Sequence, residues 1–268
     1  MGKANNILIR RKTAESTITS LLDHPDNVYA IHYSCESFFD VKDGRSPRIT
    51  SIAVVNMRDK QGESFSIHQI AERRQITPTD IKSNYDKLEQ EFLSEFYDFV
   101  KRNTGVKWVH WNMRNIQYGF PAIAHRFKVL GGHPVDIHGS TLYDLADLLQ
   151  TIYGPNYVPH PRMERLVDKN QITKTNFLSG ADEALAFEEE RYVALHQSTL
   201  RKAEMLVSIT ERQWKGILKT DATWRERYSL NLVAVTDLFT DHWLFKTIGF
   251  LSIIIGLVTG VIFLVGLF

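Results

Sequence analysis

The chain has little cysteine and almost no net charge. Cys35 is its single cysteine among 268 residues, so an intrachain disulfide is excluded and the domain suits a reducing compartment. Lys and Arg together number 32 against 31 Asp and Glu, which gives a formal net charge of +1. This balance argues against a general polyanion-binding protein, although it leaves room for a local basic groove.

Several motifs of common enzyme classes are missing. The sequence has no glycine-rich phosphate loop and no Gly-x-Ser-x-Gly segment. Its 10 histidines do not show the His-x-x-x-His spacing of helical metal ligands. The first residues, MGKANNILIRRKT, lack the apolar core of a secretion signal, and Asn6 stands where N-myristoylation needs serine or threonine. We therefore expect no cleaved leader and no N-terminal lipid.

A long uncharged run occupies residues 247–268, TIGFLSIIIGLVTGVIFLVGLF. At about 1.5 Å per residue, a helix of this length reaches about 33 Å, enough to cross a hydrocarbon core of about 30 Å. Trp243 and Lys246 precede the run, where an interfacial indole and a snorkelling ammonium belong. The alternative, a buried core helix, seldom runs this long without a polar face. The run predicts one transmembrane helix at residues 243–268 in the inner or cell membrane, with the preceding domain in the cytoplasm.

One face of this run carries small and hydroxyl-bearing residues. Gly256 and Gly260 have the spacing that lets two membrane helices approach closely. One helix per chain cannot enclose a pore, so we expect a homo-oligomer, with a tetramer as the favoured subunit number and Phe263 as a hydrophobic gate. The alternative is a simple anchor, since glycine and threonine are common in membrane spans. The predicted packing and pore residues are Gly249, Ser252, Gly256, Thr259, Gly260 and Phe263.

Strand and helix periodicities outline an α/β domain before the span. They predict strands at residues 28–35, 49–57, 63–67, 107–111 and 135–137, and helices at 7–22, 79–102, 118–130, 141–150 and from 182 onward. We expect a mixed sheet flanked by helices, with the first three strands as an antiparallel meander. The predicted parts are an N-terminal helical segment (1–26), the α/β domain (27–206), a helical stalk (207–242) and the transmembrane helix (243–268).

Three segments place polar residues at strand ends and on a late helix. They read AIHYSCESFF, HWNMRNIQYGFPAIAHRF and YVALHQSTLRKAEML. Their polar residues are Ser34 and Glu36 in the first, Asn112 and Gln117 in the second, and Tyr192 and Gln197 in the third. In type and order these segments resemble the DEDD-type 3′–5′ exonucleases, a ribonuclease-H-like family that holds two metal ions with four carboxylates.

This resemblance implies a nuclease fold that has lost its metal site. Ser34, Gln117 and Gln197 are neutral, which leaves Glu36 as the one carboxylate at the four positions. Two-metal hydrolysis needs several carboxylates, and Tyr192 in place of histidine cannot deprotonate water near neutral pH. We therefore expect no metal, no other cofactor and no catalysis. The alternative is that displaced ligands complete the site, from among Asp40, Asp43, Asp136 and Asp144.

The predicted cleft also has groups that suit nucleic acid. Aromatic rings stack on bases, and guanidinium and ammonium groups bind phosphates, although we expect about half of the aromatic residues to lie in the core. The predicted ligand-binding residues are Ser34, Glu36, Phe38, Phe39, Trp111, Asn112, Arg114, Gln117, Tyr118, Tyr192, Gln197 and Arg201. Arg126 and Lys202 are further candidates for phosphate contacts.

These features favour a non-enzymatic membrane effector. In this interpretation the cytoplasmic domain binds a nucleotide or a short single-stranded DNA, and the bound state controls an oligomeric pore. The architecture resembles that of bacterial antiphage membrane effectors, in particular the DNA-gated channels of Hailong-type systems. The alternatives are a membrane-anchored metal-dependent 3′–5′ exonuclease and a tail-anchored scaffold that only mediates protein contacts.

Overall fold

The computed structural model describes residues 3–36, 46–114 and 117–223, with side chains from residue 6 onward. None of the helices within these ranges is both long and apolar enough to cross a membrane. The predicted transmembrane helix, its small-residue face and most of the predicted stalk lie outside the described residues.

The chain divides into two compact units. The larger is Ala14–Asp221, and the smaller groups Met1–Thr13 with Ala222–Phe268. Of the smaller unit, the structure describes the beginning of the first helix and two residues after Asp221. The candidate site lies entirely within the larger unit.

The larger unit is a mixed α/β domain, as the periodicities predict. Its strands are β1 (Val28–Cys35), β2 (Ile49–Asn56), β3 (Gly62–Ser66), β4 (Lys107–His110) and β5 (Leu142–Asp144). Within the described residues the α-helices are α1 (Lys3–Asp23), α2 (Ile67–Arg73), α3 (Tyr85–Arg102), α4 (Phe120–Val129), α5 (Leu145–Tyr153), α6 (Arg162–Lys169), α7 (Gly180–Glu188) and α8 (Tyr192–Trp214).

The five strands form one sheet in the order β3-β2-β1-β4-β5. The first three form the predicted antiparallel meander, with His32 opposite Ala53, whereas β1, β4 and β5 run parallel, with Val28 opposite Lys107. From β1 the chain continues to β2 on one side, and from β4 it continues to β5 on the other. This divergence opens a crevice beyond the carboxyl ends of β1 and β4.

Helices cover both faces of the sheet. Leu88, Phe92, Phe96 and Phe99 recur on one side of α3 and pack against one face of β1 and β2. The opposite face carries Ala30, His32 and Ser34 of β1 and their partners on β2, and it packs against α8. Since side chains alternate along a strand, β1 has an apolar face toward α3 and a small, polar face toward α8.

Several of the predicted elements differ from the observed ones. The helices predicted at 79–102 and 141–150 begin only at Tyr85 and Leu145, and α2 and α6 were not predicted. The predicted strand at 135–137 is not a strand; the fifth strand is β5, where the Asp144 carboxylate accepts a hydrogen bond from the Ala146 backbone at 3.0 Å and starts α5 directly. The helix predicted from residue 182 onward is interrupted between α7 and α8 and ends at Trp214, followed by Gly216 at φ +70°. Residues 207–221 of the predicted stalk lie within the larger compact unit.

Candidate ligand-binding site

A cavity of about 620 Å³ lies between β1, the loop after β4, and the α7–α8 pair. We call it the Lys202 cavity. Most of its wall is apolar or aromatic, with a few polar groups among them, which is the usual composition of a small-molecule site. The aromatic and polar residues of its lining include His32, Trp111, Asn112, Tyr118, Phe177, Glu183 and Lys202.

The aromatic side of the cavity comes from the loop after β4. Trp111 follows the strand directly, and Tyr118 stacks on Tyr33 with ring centroids 4.6 Å apart. The Tyr33 hydroxyl accepts a hydrogen bond from the Gly119 backbone at 2.9 Å, and Tyr118 donates to the Tyr33 carbonyl at 3.4 Å. Tyr33 therefore holds the loop that carries Trp111 and Tyr118.

A buried ion pair forms the opposite side. Lys202 of α8 contacts the Glu183 carboxylate of α7 at 2.7 Å, and both side chains are almost fully buried. Ser198 donates to the same carboxylate oxygen at 3.0 Å, and the Lys202 ammonium lies 5.2 Å from the Phe177 ring centroid. A buried charge pair needs such additional contacts to offset the loss of hydration. The Lys202 ammonium is thus held at a fixed place in the cavity wall.

His32 lies in the β1 wall and is buried. Burial lowers the pKa of its imidazole well below the ordinary 6.5, and the nearby Lys202 ammonium lowers it further. The ring is therefore neutral at pH 7, with one N–H donor and one acceptor nitrogen. Neither ring nitrogen has a hydrogen-bond partner among the described residues, and the same is true of Ser34 Oγ and Glu183 Oε2.

Neither a known relative nor a metal-ligand cluster marks this site. No protein-family model, no curated protein and no solved structure matches the chain. Within the described ranges, no three His, Cys, Asp or Glu side chains lie close enough together to hold a metal ion. Asp136 and Asp144, two of the alternative metal ligands, line a different cavity, and Asp40 and Asp43 lie outside the described residues.

Some of the predicted site residues meet at the Lys202 cavity. Trp111, Asn112 and Tyr118 line it, and Ser34 is fully buried on the same face of β1 as His32. The sequence also indicated Lys202, as a phosphate contact. His32, Phe177 and Glu183 were missed, although a histidine and a serine on one face of an otherwise apolar strand are a visible signal.

Other predicted residues lie elsewhere. Tyr192 packs in the core beside Tyr85 and Phe187, and Glu36 follows β1 and accepts a hydrogen bond from the Arg48 backbone at 3.3 Å. Gln117 and Gln197 are exposed. Arg201 contacts Glu204 at 2.7 Å and donates to the Thr175 carbonyl at 3.0 Å. Phe38 and Phe39 are not among the described residues.

Arg114 lies at a second cavity, of about 590 Å³, which we call the Asp144 cavity. Its guanidinium contacts Asp144 Oδ2 at 2.7 Å, while Oδ1 accepts hydrogen bonds from the backbones of Asn112 and Ala146. Burial lowers the pKa of His110 to about 4, and its Nδ1 accepts from the Met113 backbone at 3.2 Å. These polar groups of the Asp144 cavity already bond to one another. This cavity therefore has fewer polar groups available to a ligand than the Lys202 cavity has.

Arg126, the other candidate for a phosphate contact, is also engaged within the protein. It is buried and bonds Glu89 through Nε at 3.0 Å and Nη2 at 2.6 Å. Glu89 Oε1 also accepts from the Ile49 backbone at 2.7 Å, so the pair ties α4 to α3 and β2. This placement argues against a role for Arg126 in holding phosphate.

Proposed function

We propose that the larger unit is a ribonuclease-H-like domain that binds a nucleotide or a short single-stranded DNA without cleaving it. The Lys202 cavity carries this proposal: aromatic rings and a fixed ammonium meet beyond the carboxyl ends of two parallel strands. The strand order is also the one that ribonuclease-H-like nucleases use. The three segments that resemble DEDD-type exonucleases lie on β1, after β4 and on α8, in agreement with that fold.

The chemistry of β1 supports binding rather than hydrolysis. The side chains that it turns toward α8 include His32 and Ser34, and neither is an anionic ligand for a divalent ion. Across from them, the Glu183 carboxylate is already paired with the Lys202 ammonium at 2.7 Å. The competing proposal is a membrane-anchored nuclease. Mg²⁺-dependent cleavage of single-stranded DNA that disappears in Glu36→Gln would favour it.

The first test concerns stacking in the cavity. Trp111→Ala should weaken binding of a fluorescent short oligonucleotide to the detergent-solubilised full chain by roughly 5–150-fold, since one stacked base contributes about 1–3 kcal/mol. Fluorescence anisotropy measures this change. Trp214→Ala is the matched control, because Trp214 is 45% exposed at the end of α8 and should leave affinity unchanged. Full affinity in Trp111→Ala would place the ligand elsewhere.

The membrane part of the proposal rests on residues 243–268. We propose that these helices associate through their small-residue face, and that ligand binds the open and closed assemblies unequally, as gating requires. Such a channel would serve as an effector in antiphage defence. The scaffold alternative has the same anchor but no ligand and no conductance.

Removing the span should release the protein from the membrane. A chain that lacks residues 247–268 should appear in the soluble fraction, whereas the full chain should remain in the pellet after carbonate extraction. Phe263→Ala supplies the channel test, because enlarging a hydrophobic constriction should raise ion flux from reconstituted liposomes. If carbonate extracts the full chain from the membrane, the proposed transmembrane helix is wrong. If neither the wild type nor Phe263→Ala gives ion flux in any ligand state, the span serves only as an anchor.

A further inference from the structure

The wall of the Lys202 cavity and the adjoining part of β1 carry several unsatisfied polar atoms. Both ring nitrogens of His32, the hydroxyl of Ser34 and Glu183 Oε2 are buried, and none has a hydrogen-bond partner within the described part of the chain. Buried polar side chains in folded proteins are nearly always hydrogen-bonded. His32 and Glu183 both belong to the cavity wall, on β1 and α7 respectively. A ligand that bonds to His32 and Glu183 would supply the hydrogen-bond partners that the described part of the protein does not.

The donors and acceptors in this set restrict the ligand. A carboxylate oxygen only accepts hydrogen bonds, so Glu183 Oε2 requires a donor. The neutral imidazole of His32 offers one donor and one acceptor. A fully ionised phosphate has no donor and therefore cannot satisfy Glu183. The complementary ligand carries an N–H or O–H donor beside an acceptor.

The local charge also disfavours an anion at this point. The Lys202 ammonium is already paired with Glu183 Oε1 at 2.7 Å, so the pair is neutral as a whole. Glu164, the other carboxylate of the cavity lining, is paired with Lys174 at 3.1 Å and adds no net positive charge. At the start of α7, Ser179 and Asp182 form a reciprocal capping box, which occupies a backbone donor that would otherwise attract an anion. A phosphate placed against Glu183 would be repelled and would have to compete for Lys202.

We propose that the Lys202 cavity recognises the uncharged edge of a nucleobase that bears an amino group, with the sugar and phosphates outside. This rests on the proposed nucleotide-binding function and specifies which part of the ligand enters. The amino group donates to Glu183 Oε2, and a neighbouring ring nitrogen exchanges a hydrogen bond with His32. Trp111 and Tyr118 stack against the ring. The Lys202 ammonium holds the Glu183 carboxylate in place.

The test compares nucleosides with inorganic phosphate on the detergent-solubilised full chain by calorimetry. At least one amino-bearing nucleoside among adenosine, cytidine and guanosine should bind. Its analogue without the amino group should bind roughly 10-fold more weakly or worse, because Glu183 Oε2 would then be buried opposite a group that cannot donate. Inorganic phosphate and pyrophosphate should not displace the bound nucleoside.

His32→Leu should weaken nucleoside binding by roughly 10-fold or more, since it removes one donor and one acceptor from the wall. His196→Leu is the matched control, because His196 lies on α8 and packs against His68 at a centroid distance of 4.8 Å. Near-ultraviolet circular dichroism checks folding, and Phe177→Leu replaces His32→Leu if that variant unfolds.

The outcomes separate this inference from the proposed function. Binding of a short oligonucleotide that phosphate displaces, together with no binding of any nucleoside, overturns base recognition but leaves the proposed function standing. Equal affinity for a nucleoside and its analogue without the amino group also overturns the inference. Binding of neither oligonucleotide nor nucleoside overturns both.

Discussion

Replacing Arg126 with methionine should lower the free energy of unfolding by about 3–5 kcal/mol, because it leaves a buried carboxylate without its partner. Glu89 has no exposed surface, and Arg126 bonds both of its oxygens. Asp86 also contacts the guanidinium, at 2.8 Å, but it is exposed and loses little when the guanidinium is removed. Denaturant unfolding of the full chain, followed by tryptophan fluorescence, measures the loss.

The same network predicts how this loss depends on pH. Burial raises the pKa of Glu89 from 4.5 to about 7, although Arg126 opposes the shift. Because the folded pKa lies above the unfolded one, the contribution of Glu89 is most favourable below about pH 4.5 and declines as pH rises toward 7. Removing Arg126 should raise that pKa further. The deficit of Arg126→Met should therefore be constant below about pH 7 and grow above it, where the wild-type carboxylate ionises and that of the variant does not.

The control is the double variant Glu89→Leu/Arg126→Met, which removes both charges and should recover most of the stability. Its unfolding should also lose the pH dependence that Glu89 causes. A deficit of equal size at about pH 6 and about pH 9 in Arg126→Met would contradict the assignment of that effect to the Glu89 carboxylate.

Gly119→Ala should have the second large effect, and it should act on stability and binding together. Gly119 has φ +146°, and a Cβ added there would lie 2.3 Å from the backbone carbon of Met113 and 2.7 Å from the Arg114 nitrogen. Backbone atoms cannot turn aside as a flexible side chain can, so the loop must move. We expect a loss of roughly 2–4 kcal/mol in the free energy of unfolding.

This movement should displace Tyr118 and break the hydrogen bond from Gly119 to the Tyr33 hydroxyl. Oligonucleotide affinity should fall in the fraction that remains folded, as measured by anisotropy at a temperature well below the unfolding midpoint. Gly139→Ala is the matched control, since its added Cβ meets nothing within 4 Å in the described part of the chain beyond its two sequence neighbours, and its φ is not positive. Unchanged stability in Gly119→Ala would contradict the described loop geometry.

Local periodicity made the central part of the fold predictable. The runs rich in apolar and β-branched residues on β1 and β2 reflect burial on both faces of the sheet, and the phenylalanine spacing on α3 reflects burial on one side of the helix. The fifth strand was misplaced because β5 has only three residues, too few for alternation to register. Its position depends on pairing with β4, which a local pattern does not contain.

The candidate site was partly predictable for a similar reason. Trp111 and Asn112 follow a strand directly, so their neighbourhood is encoded nearby in sequence. Glu183 reaches β1 only because α7 packs on α8 and α8 crosses the sheet. Likewise, the sequence around Lys202 and Gln197 does not show which side of α8 is buried. Without that knowledge, the pairing of Lys202 and the exposure of Gln197 cannot be predicted. Long-range packing therefore defines the half of the cavity that the sequence did not reveal.

The hydroxyl pair between Ser51 of β2 and Thr199 of α8, at 2.7 Å, limits how α8 can move. One residue earlier, Ser198 accepts from the Leu178 backbone and donates to Glu183, so neighbouring positions of α8 are bound to different elements. Sliding the helix by one turn, about 5.4 Å, would separate all of these partners at once. We therefore expect α8 and the sheet to move together. In the proposed channel, ligand binding at the Lys202 cavity would therefore move α8 together with the sheet rather than slide α8 along its own axis.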